Sequence, residues 1–173
     1  MIQIYIQIKK MVGYFAQPYI FSKYYFMKYF SIEELCKSET AKSKNINNSP
    51  SEEIKIHLNE LVENLLDPLR EAWGSAIHVN SGYRCEKLNQ AIGGAKNSAH
   101  KFGYAADIVP VNGKIYEFKL FVRKWLKENY IKFDQYIDEQ KGNSHWVHLG
   151  YKHNGVQRKQ YLIYKGGKYS TIK

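Results

Sequence analysis

The chain has 173 residues, a size that suits one globular domain with a sizeable core. It is 44% hydrophobic and 24% charged, and no stretch reaches the roughly 18 apolar residues that a membrane span needs. The formal net charge of +10 indicates an anionic partner, such as nucleic acid, a membrane surface or a cell-wall polymer. Two cysteines, Cys36 and Cys85, are too few for a disulfide framework and are predicted to be free thiols.

The first 26 residues differ from the rest of the chain. They contain three lysines, no acid and many Ile, Tyr and Phe residues. Gln17 and Pro18 break the apolar run, and no Ala-x-Ala-like cleavage site follows, so the segment lacks a clear secretory signal. We predict an N-terminal extension over residues 1–26, either an artefact of gene prediction or a loosely packed arm that binds a membrane or a partner. A single domain is predicted over residues 27–173.

Helices dominate the first half of the predicted domain. Ser31 has the chemistry of an N-cap and opens a helix that ends near Ser38. Residues 38–51 are rich in Ser, Asn and Lys and are predicted to form a loop. Ser51 opens a longer helix whose apolar residues recur at helical spacing until Gly74 ends it.

Strands dominate the second half, where short apolar segments alternate with turn residues. The predicted strands are residues 76–84, 105–111, 133–138, 145–151, 159–165 and 168–172, and the predicted helices are residues 85–92 and 116–130. The last two strands form a hairpin around Gly166 and Gly167. Helices followed by strands are typical of an α+β fold.

Three polar residues occur where metal chemistry would explain them: His100, Asp107 and His148. Strand alternation places Asp107 on the face opposite Ala106 and Ile108. A carboxylate or an imidazole in an apolar strand is costly unless a partner satisfies it. Taken alone, each residue also fits an ion pair or a satisfied core histidine. Together they form a set of two imidazoles and one carboxylate, which leaves the fourth position of tetrahedral zinc open, as in catalytic sites.

The segment SGYRCEKLNQAIGGAKNSAHKFGYAADI, residues 81–108, resembles a family signature. Its Ser-Gly-Tyr-Arg, Leu-Asn, Gly-Gly, Ser-x-His and Gly-x-Ala-x-Asp elements are similar to those of the zinc D-Ala-D-Ala peptidase family. FDQYI and HWVHLG resemble the later motifs of that family, and the similarity spans residues 30–151. The family contains D-Ala-D-Ala carboxypeptidases, D-Ala-D-Ala dipeptidases and phage L-alanyl-D-glutamate endolysins.

The resemblance implies a fold and a set of residue roles. The fold is an α+β, Hedgehog/DD-peptidase-like arrangement with a small, mainly antiparallel sheet flanked by helices. By this resemblance, one zinc ion would be held by His100, Asp107 and His148. Arg84 would hold a carboxylate or carbonyl of the substrate, which suits a bidentate guanidinium. Ser98 lines or orients the site, or is only a turn residue.

The catalytic base is left open by the sequence. Known members carry Asp or Glu three residues before the last histidine, or a histidine close by, and here that position is His145. A regular strand places His145 and His148 on opposite faces, so both reach one metal only if the chain bends. Glu139 is the second candidate, and Asp134 and Gln135 are candidates for orienting a ligand from behind.

The expected function is zinc-dependent hydrolysis of the peptide stem of peptidoglycan, by carboxypeptidase or endolysin chemistry. We expect a monomer that is made in the cytoplasm without a clear signal peptide and acts on the cell wall, as in small phage or prophage members. The departure at His145 leaves an alternative: a metal-binding wall or virion module with little or no turnover. Nucleic-acid binding is not expected, because the lysines are scattered and no nucleic-acid motif is present.

Overall fold

The computed structural model describes residues 27–172. The predicted extension over residues 1–26 lies outside the described residues, and the division of the chain at residue 27 stays a prediction. The helices are α1 (Ile32–Cys36), α2 (Glu39–Ser43), α3 (Glu52–Leu61), α4 (Asp67–Trp73), α5 (Glu86–Ala91) and α6 (Ile115–Glu128), with a π-helical segment (Val62–Leu66) and a 3-10 helix (Ala99–Phe102).

Serine side chains cap the N-termini of α1 and α3, as their positions predicted. Ser31 Oγ accepts a hydrogen bond from the Glu34 amide, and Ser51 Oγ accepts one from the Ile54 amide. The loop predicted over residues 38–51 was wrong in part, because it contains α2, which Ser38 caps. Helix α2 buries only one side chain, Ala41, and therefore leaves no helical periodicity in the sequence.

Helices α3 and α4 form one continuous rod through the π-helical segment Val62–Leu66. The wider turn comes just before Pro68, which has no amide hydrogen to donate and crowds the preceding turn of a regular helix. Gly74 ends the rod in the left-handed conformation, with φ 69°. The predicted bounds of this helix, from Ser51 to Gly74, are therefore confirmed, while the π-helical turn was not predicted.

Six strands of the described residues form one sheet. They are β1 (Ile77–Ser81), β2 (Ala105–Pro110), β3 (Gln135–Lys141), β4 (Ser144–Gly150), β5 (Gln160–Lys165) and β6 (Lys168–Thr171). The strand order is β1-β2-β4-β3-β5-β6, and β3 with β5 is the one parallel pair of this sheet. The predicted α+β fold with a mainly antiparallel sheet is confirmed.

The two faces of the sheet have different coverings. On the helix face, Ala106, Ile108, Val147 and Leu149 are fully buried in the hydrophobic core. The helical side of that core is formed by residues of α3, the π-helical segment, α4 and α6: Leu58, Leu61, Leu65, Leu66, Leu69, Phe118, Val122 and Leu126. The opposite face, which carries Asp107 and His148 and which we call the loop face, meets the 3-10 helix.

Candidate metal centre

Three segments bring the predicted ligands together on the loop face. Asp107 on β2 and His148 on β4 are direct cross-strand partners, so their side chains lie side by side. His100 lies on the 3-10 helix, whereas the sequence predicted only a loop there. All three side chains are buried, with 3%, 6% and 6% exposure for His100, Asp107 and His148.

The donor atoms of these residues converge on one point. His100 Nε2 lies 3.1 Å from His148 Nδ1 and 3.2 Å from Asp107 Oδ1, and His148 Nδ1 lies 3.0 Å from Asp107 Oδ1. Tetrahedral zinc with bonds near 2.0–2.1 Å separates its ligand atoms by about 3.3 Å. Two imidazole nitrogens and a carboxylate oxygen at this spacing fit a zinc ion with little rearrangement.

Hydrogen bonding and burial prepare His100 to bind a metal. Its Nδ1–H donates to the carbonyl oxygen of Gly82 at 2.7 Å, which leaves the lone pair on Nε2 directed at the cluster. Burial lowers the pKa of His100, so the imidazole is neutral at pH 7. Burial acts to raise the pKa of Asp107, but its electrostatic interactions with the two neighbouring imidazoles, His100 and His148, prevail and hold it well below its usual range.

The backbone around Gly82 is fixed by residues distant in sequence. A Cβ at position 82 would lie 2.3 Å from the Leu35 carbonyl oxygen, so only glycine fits against α1. The Tyr83 amide donates to the same carbonyl at 2.7 Å. Asn48 donates to the Tyr83 carbonyl at 3.0 Å and accepts from the Cys85 amide at 2.8 Å. The segment that orients His100 is therefore clamped from both sides.

A second anchor of His100 lies on α3. His57 is 5% exposed, and its Nδ1–H donates to the carbonyl of Phe102, the last residue of the 3-10 helix, at 2.7 Å. The His57 ring also packs against Tyr104, with ring centroids 4.8 Å apart. The roles of His57 and Asn48 were not predicted from the sequence. In the sequence they stand out only as polar residues within or beside an apolar pattern.

Arg84 lies at the candidate centre and contacts a ligand. Its Nη2 donates to Asp107 Oδ2 at 2.5 Å and its Nε donates to Ser81 Oγ at 2.7 Å. The metal-side oxygen of Asp107, Oδ1, is not the one that Arg84 holds. Among the described residues Nη1 of Arg84 has no hydrogen-bond partner, and the substrate role of Arg84 stays a prediction.

Glu139 lies on the loop face with the ligands. It is the cross-strand partner of Trp146, whose side chain shares the face of His148. Burial and the nearby negative charge of Asp107 raise the pKa of the half-buried Glu139 carboxyl. The indole Nε1 of Trp146 is buried and has no hydrogen-bond partner among residues 27–172. A carboxyl group with a raised pKa therefore lies on the same face of the sheet as the ligands, next to the Trp146 indole.

His145 is placed on the other side of the sheet. Strand β4 is regular, with Gln140 opposite His145 and Ile137 opposite His148, so the bend that would bring both histidines to one metal does not occur. The His145 ring contacts α6 instead: Nε2 lies 3.3 Å from Tyr116 Oη, and Nδ1 lies 3.4 Å from Lys119 Nζ. The geometry therefore separates His145 from the cluster and brings Glu139 to it.

The two residues suggested as supports of a ligand make other contacts. Asp134 accepts hydrogen bonds from Nε and Nη2 of Arg158 at 2.8 and 2.5 Å, which ties the residue before β3 to the segment before β5. Gln135 donates to Gln160 Oε1 at 3.0 Å. Neither hydrogen-bonds a member of the cluster. Ser98 precedes the 3-10 helix and its side chain caps nothing there, so its substrate role stays a prediction.

The comparison with known families agrees with this geometry. The sequence model of the Peptidase M15 family matches residues 28–149, which include every member of the buried cluster. The chain belongs to the Peptidase M15 family. It is therefore a metallopeptidase by family, and M15 peptidases are zinc-dependent, which the donor set fits. No curated protein matches the chain.

The M15 match ends just after His148, so β5 and β6 lie beyond it. The described part of this M15 chain contains no helix that is long and apolar enough to cross a membrane. Cys36 and Cys85 are both free, as predicted, and neither belongs to the cluster.

Proposed function

We propose that the chain hydrolyses a peptide bond in the stem of peptidoglycan, with one zinc ion held by His100, Asp107 and His148 and with Glu139 as general base. The observation that supports it is the buried cluster with Glu139 on the same face of the sheet. When bound in such a site, zinc lowers the pKa of water and polarises a carbonyl group. The net charge of +10 favours approach to an anionic wall.

The protein groups have separate tasks in this scheme. Glu139 removes a proton from the attacking water and later gives it to the leaving amine, a role that suits a carboxyl group with a raised pKa. Arg84 steadies Asp107 through Nη2 and offers Nη1 to a carboxylate or carbonyl of the substrate. Gly82 holds the tautomer of His100 that keeps Nε2 free.

Mass spectrometry of muropeptides after incubation with zinc-loaded protein tests the activity and identifies the bond. We expect Glu139→Gln to bind zinc normally and to lower kcat by about 100-fold or more. The matched variant His145→Gln should retain most of the activity, because His145 lies behind the sheet. A loss of activity in His145→Gln with full activity in Glu139→Gln would reverse the assignment of the base.

Metal analysis separates the role of the ligands from that of the base. We expect His148→Ala to lose both zinc and cleavage, whereas Glu139→Gln loses cleavage alone. Cleavage that survives in His148→Ala would exclude the zinc mechanism. Zinc-loaded wild-type protein that binds muropeptides without releasing product would favour a wall-binding module over a peptidase.

A further inference from the structure

A row of side chains crosses the loop face beside the metal cluster. Glu139 on β3 is the direct partner of Tyr164 on β5, and Tyr164 is the direct partner of Tyr169 on β6. Direct partners present their side chains on the same face. Neighbouring strands lie about 4.8 Å apart, so Tyr164 and Tyr169 stand about 5 and 10 Å to the side of Glu139.

The two tyrosines form an accessible aromatic pair. Their ring centroids lie 4.6 Å apart with an interplanar angle of 42°, and Tyr169 is 60% exposed. Partial burial and the charges of Glu139, Tyr164 and Asp107 raise the pKa of Tyr169. The pair therefore continues the surface of the candidate active site outward from its proposed base.

The pair belongs to a hairpin that the family match does not reach. The match ends at residue 149, whereas Tyr164 and Tyr169 lie on β5 and β6. Another tyrosine of β5, Tyr161, packs instead against Phe133 in the core, with ring centroids 5.0 Å apart. The core therefore needs Tyr161, while nothing in the packing of the helix face needs the exposed Tyr169.

The chemistry of the row favours a neutral ring as its ligand. The row of Glu139, Tyr164 and Tyr169 has no cation, and alternation places Lys165 and Lys168 on the opposite face. The loop-face lysine of β3, Lys141, lies two residues beyond Glu139, so a free carboxylate stacked on the two rings would have no counter-ion in the row itself. Two aromatic faces with hydroxyl groups at their edges suit instead the apolar face and the hydroxyls of a sugar ring.

We propose that Tyr164 and Tyr169 form a subsite for the muramyl sugar of a glycan-linked stem peptide. One amino acid and the lactyl group separate this sugar from the first peptide bond of the stem, about 7 Å of extended chain. That length matches the offset of the pair from Glu139. The subsite rests on the proposed function and favours cleavage near the sugar rather than at the far end of the stem.

Two matched substrates test the subsite: a muramyl stem peptide and the same N-acetylated peptide without the sugar. We expect Tyr169→Ala to raise KM for the muramyl peptide by about 3- to 10-fold and to leave kcat and the KM of the sugar-free peptide unchanged. Tyr169→Phe, which keeps the ring, should behave like wild type. Tyr116→Ala removes a tyrosine of similar exposure, 65%, from the helix side and serves as control.

An equal effect of Tyr169→Ala on both substrates, or no effect on either, would overturn the subsite. A binding measurement separates this result from failure of the proposed function. Saturation-transfer NMR with zinc-loaded Glu139→Gln should show transfer to the sugar protons, and Tyr169→Ala in that background should lose it. If wild-type protein cleaves neither substrate while this transfer persists, peptidoglycan hydrolysis fails and the sugar subsite stands. Binding of the stem without transfer to the sugar excludes the subsite.

Discussion

Gly82 connects the packing of helix α1 to the orientation of His100. We predict that Gly82→Ala weakens zinc binding by about 10-fold or more, as expected when a group that orients a ligand is displaced. The added Cβ would meet the Leu35 carbonyl oxygen at 2.3 Å, and the resulting backbone shift would remove the acceptor of His100 Nδ1. Competition with a chelator of known affinity measures the change.

Asn80→Ala provides a matched control, because Asn80 is an exposed residue two positions before Gly82. Its zinc affinity should equal that of wild type. Circular dichroism before the titration confirms that both variants are folded. Zinc binding of undiminished strength in folded Gly82→Ala would show that the carbonyl of residue 82 does not orient the ligand.

At the scale of single residues, the alternation of side chains between the two faces of a strand predicted most of the site. It predicted that Asp107 and His148 need a partner and that His145 and His148 lie on opposite faces of a regular strand, as they do. Alternation within one strand could not show the clamp by Asn48, which acts across 37 residues on Cys85. Contacts of this kind depend on the packed fold, so no local sequence pattern predicts them.

At the scale of elements, α6 supports the strand of the proposed base from behind. Lys119 is 5% exposed, its ammonium pairs with the Asp138 carboxylate, and it reaches the carbonyl of Glu139 at 3.3 Å. We predict that Lys119→Met lowers the free energy of unfolding by about 1–3 kcal/mol, because Asp138 keeps a partly buried carboxylate without its partner. Urea unfolding followed by fluorescence measures the loss.

Two variants give this prediction its controls. Lys124→Met removes an exposed lysine of the same helix, whose ion pair with Glu128 is long at 3.9 Å, and should change stability by no more than about 0.5 kcal/mol. Lys119→Met combined with Asp138→Leu should be more stable than Lys119→Met alone, since no unpaired carboxylate remains. If Lys119→Met and Lys124→Met lower the free energy of unfolding by the same amount, the buried ion pair of Lys119 does not stabilise the contact between α6 and β3.

The elements that the sequence did not predict share a physical cause. Helix α2 has five residues and buries only Ala41, so the amphipathic signal that revealed α3 is missing. The parallel pairing of β3 with β5 places β5 beside a strand that is not its neighbour in sequence, because β4 turns back on the other side of β3. Strand order of this kind follows from the packing of the whole sheet, not from the pattern of either strand.

At the scale of the whole molecule, the three proposed ligands couple metal binding to folding, because they come from the 3-10 helix, β2 and β4. We predict that zinc at 100 times its dissociation constant raises the free energy of unfolding by about 2.7 kcal/mol and that a chelator removes this gain. Thermal unfolding with zinc, with magnesium and with chelator measures it. Equal stability in all three conditions would contradict the proposed centre.

The metal-free protein should also lose stability in mild acid. Burial lowers the pKa of His100 in the folded chain, whereas the unfolded chain has the ordinary value of about 6.5. Below that pH the unfolded state binds a proton that the folded state excludes. The contribution of His100 to the free energy of unfolding is therefore complete above about pH 6.5. As the pH falls further, this contribution decreases by at most about 1.4 kcal/mol per pH unit. Urea unfolding of chelated protein from pH 8 to pH 5 should show this slope, and His100→Gln should reduce it. An unchanged slope in His100→Gln would assign the proton uptake to another group.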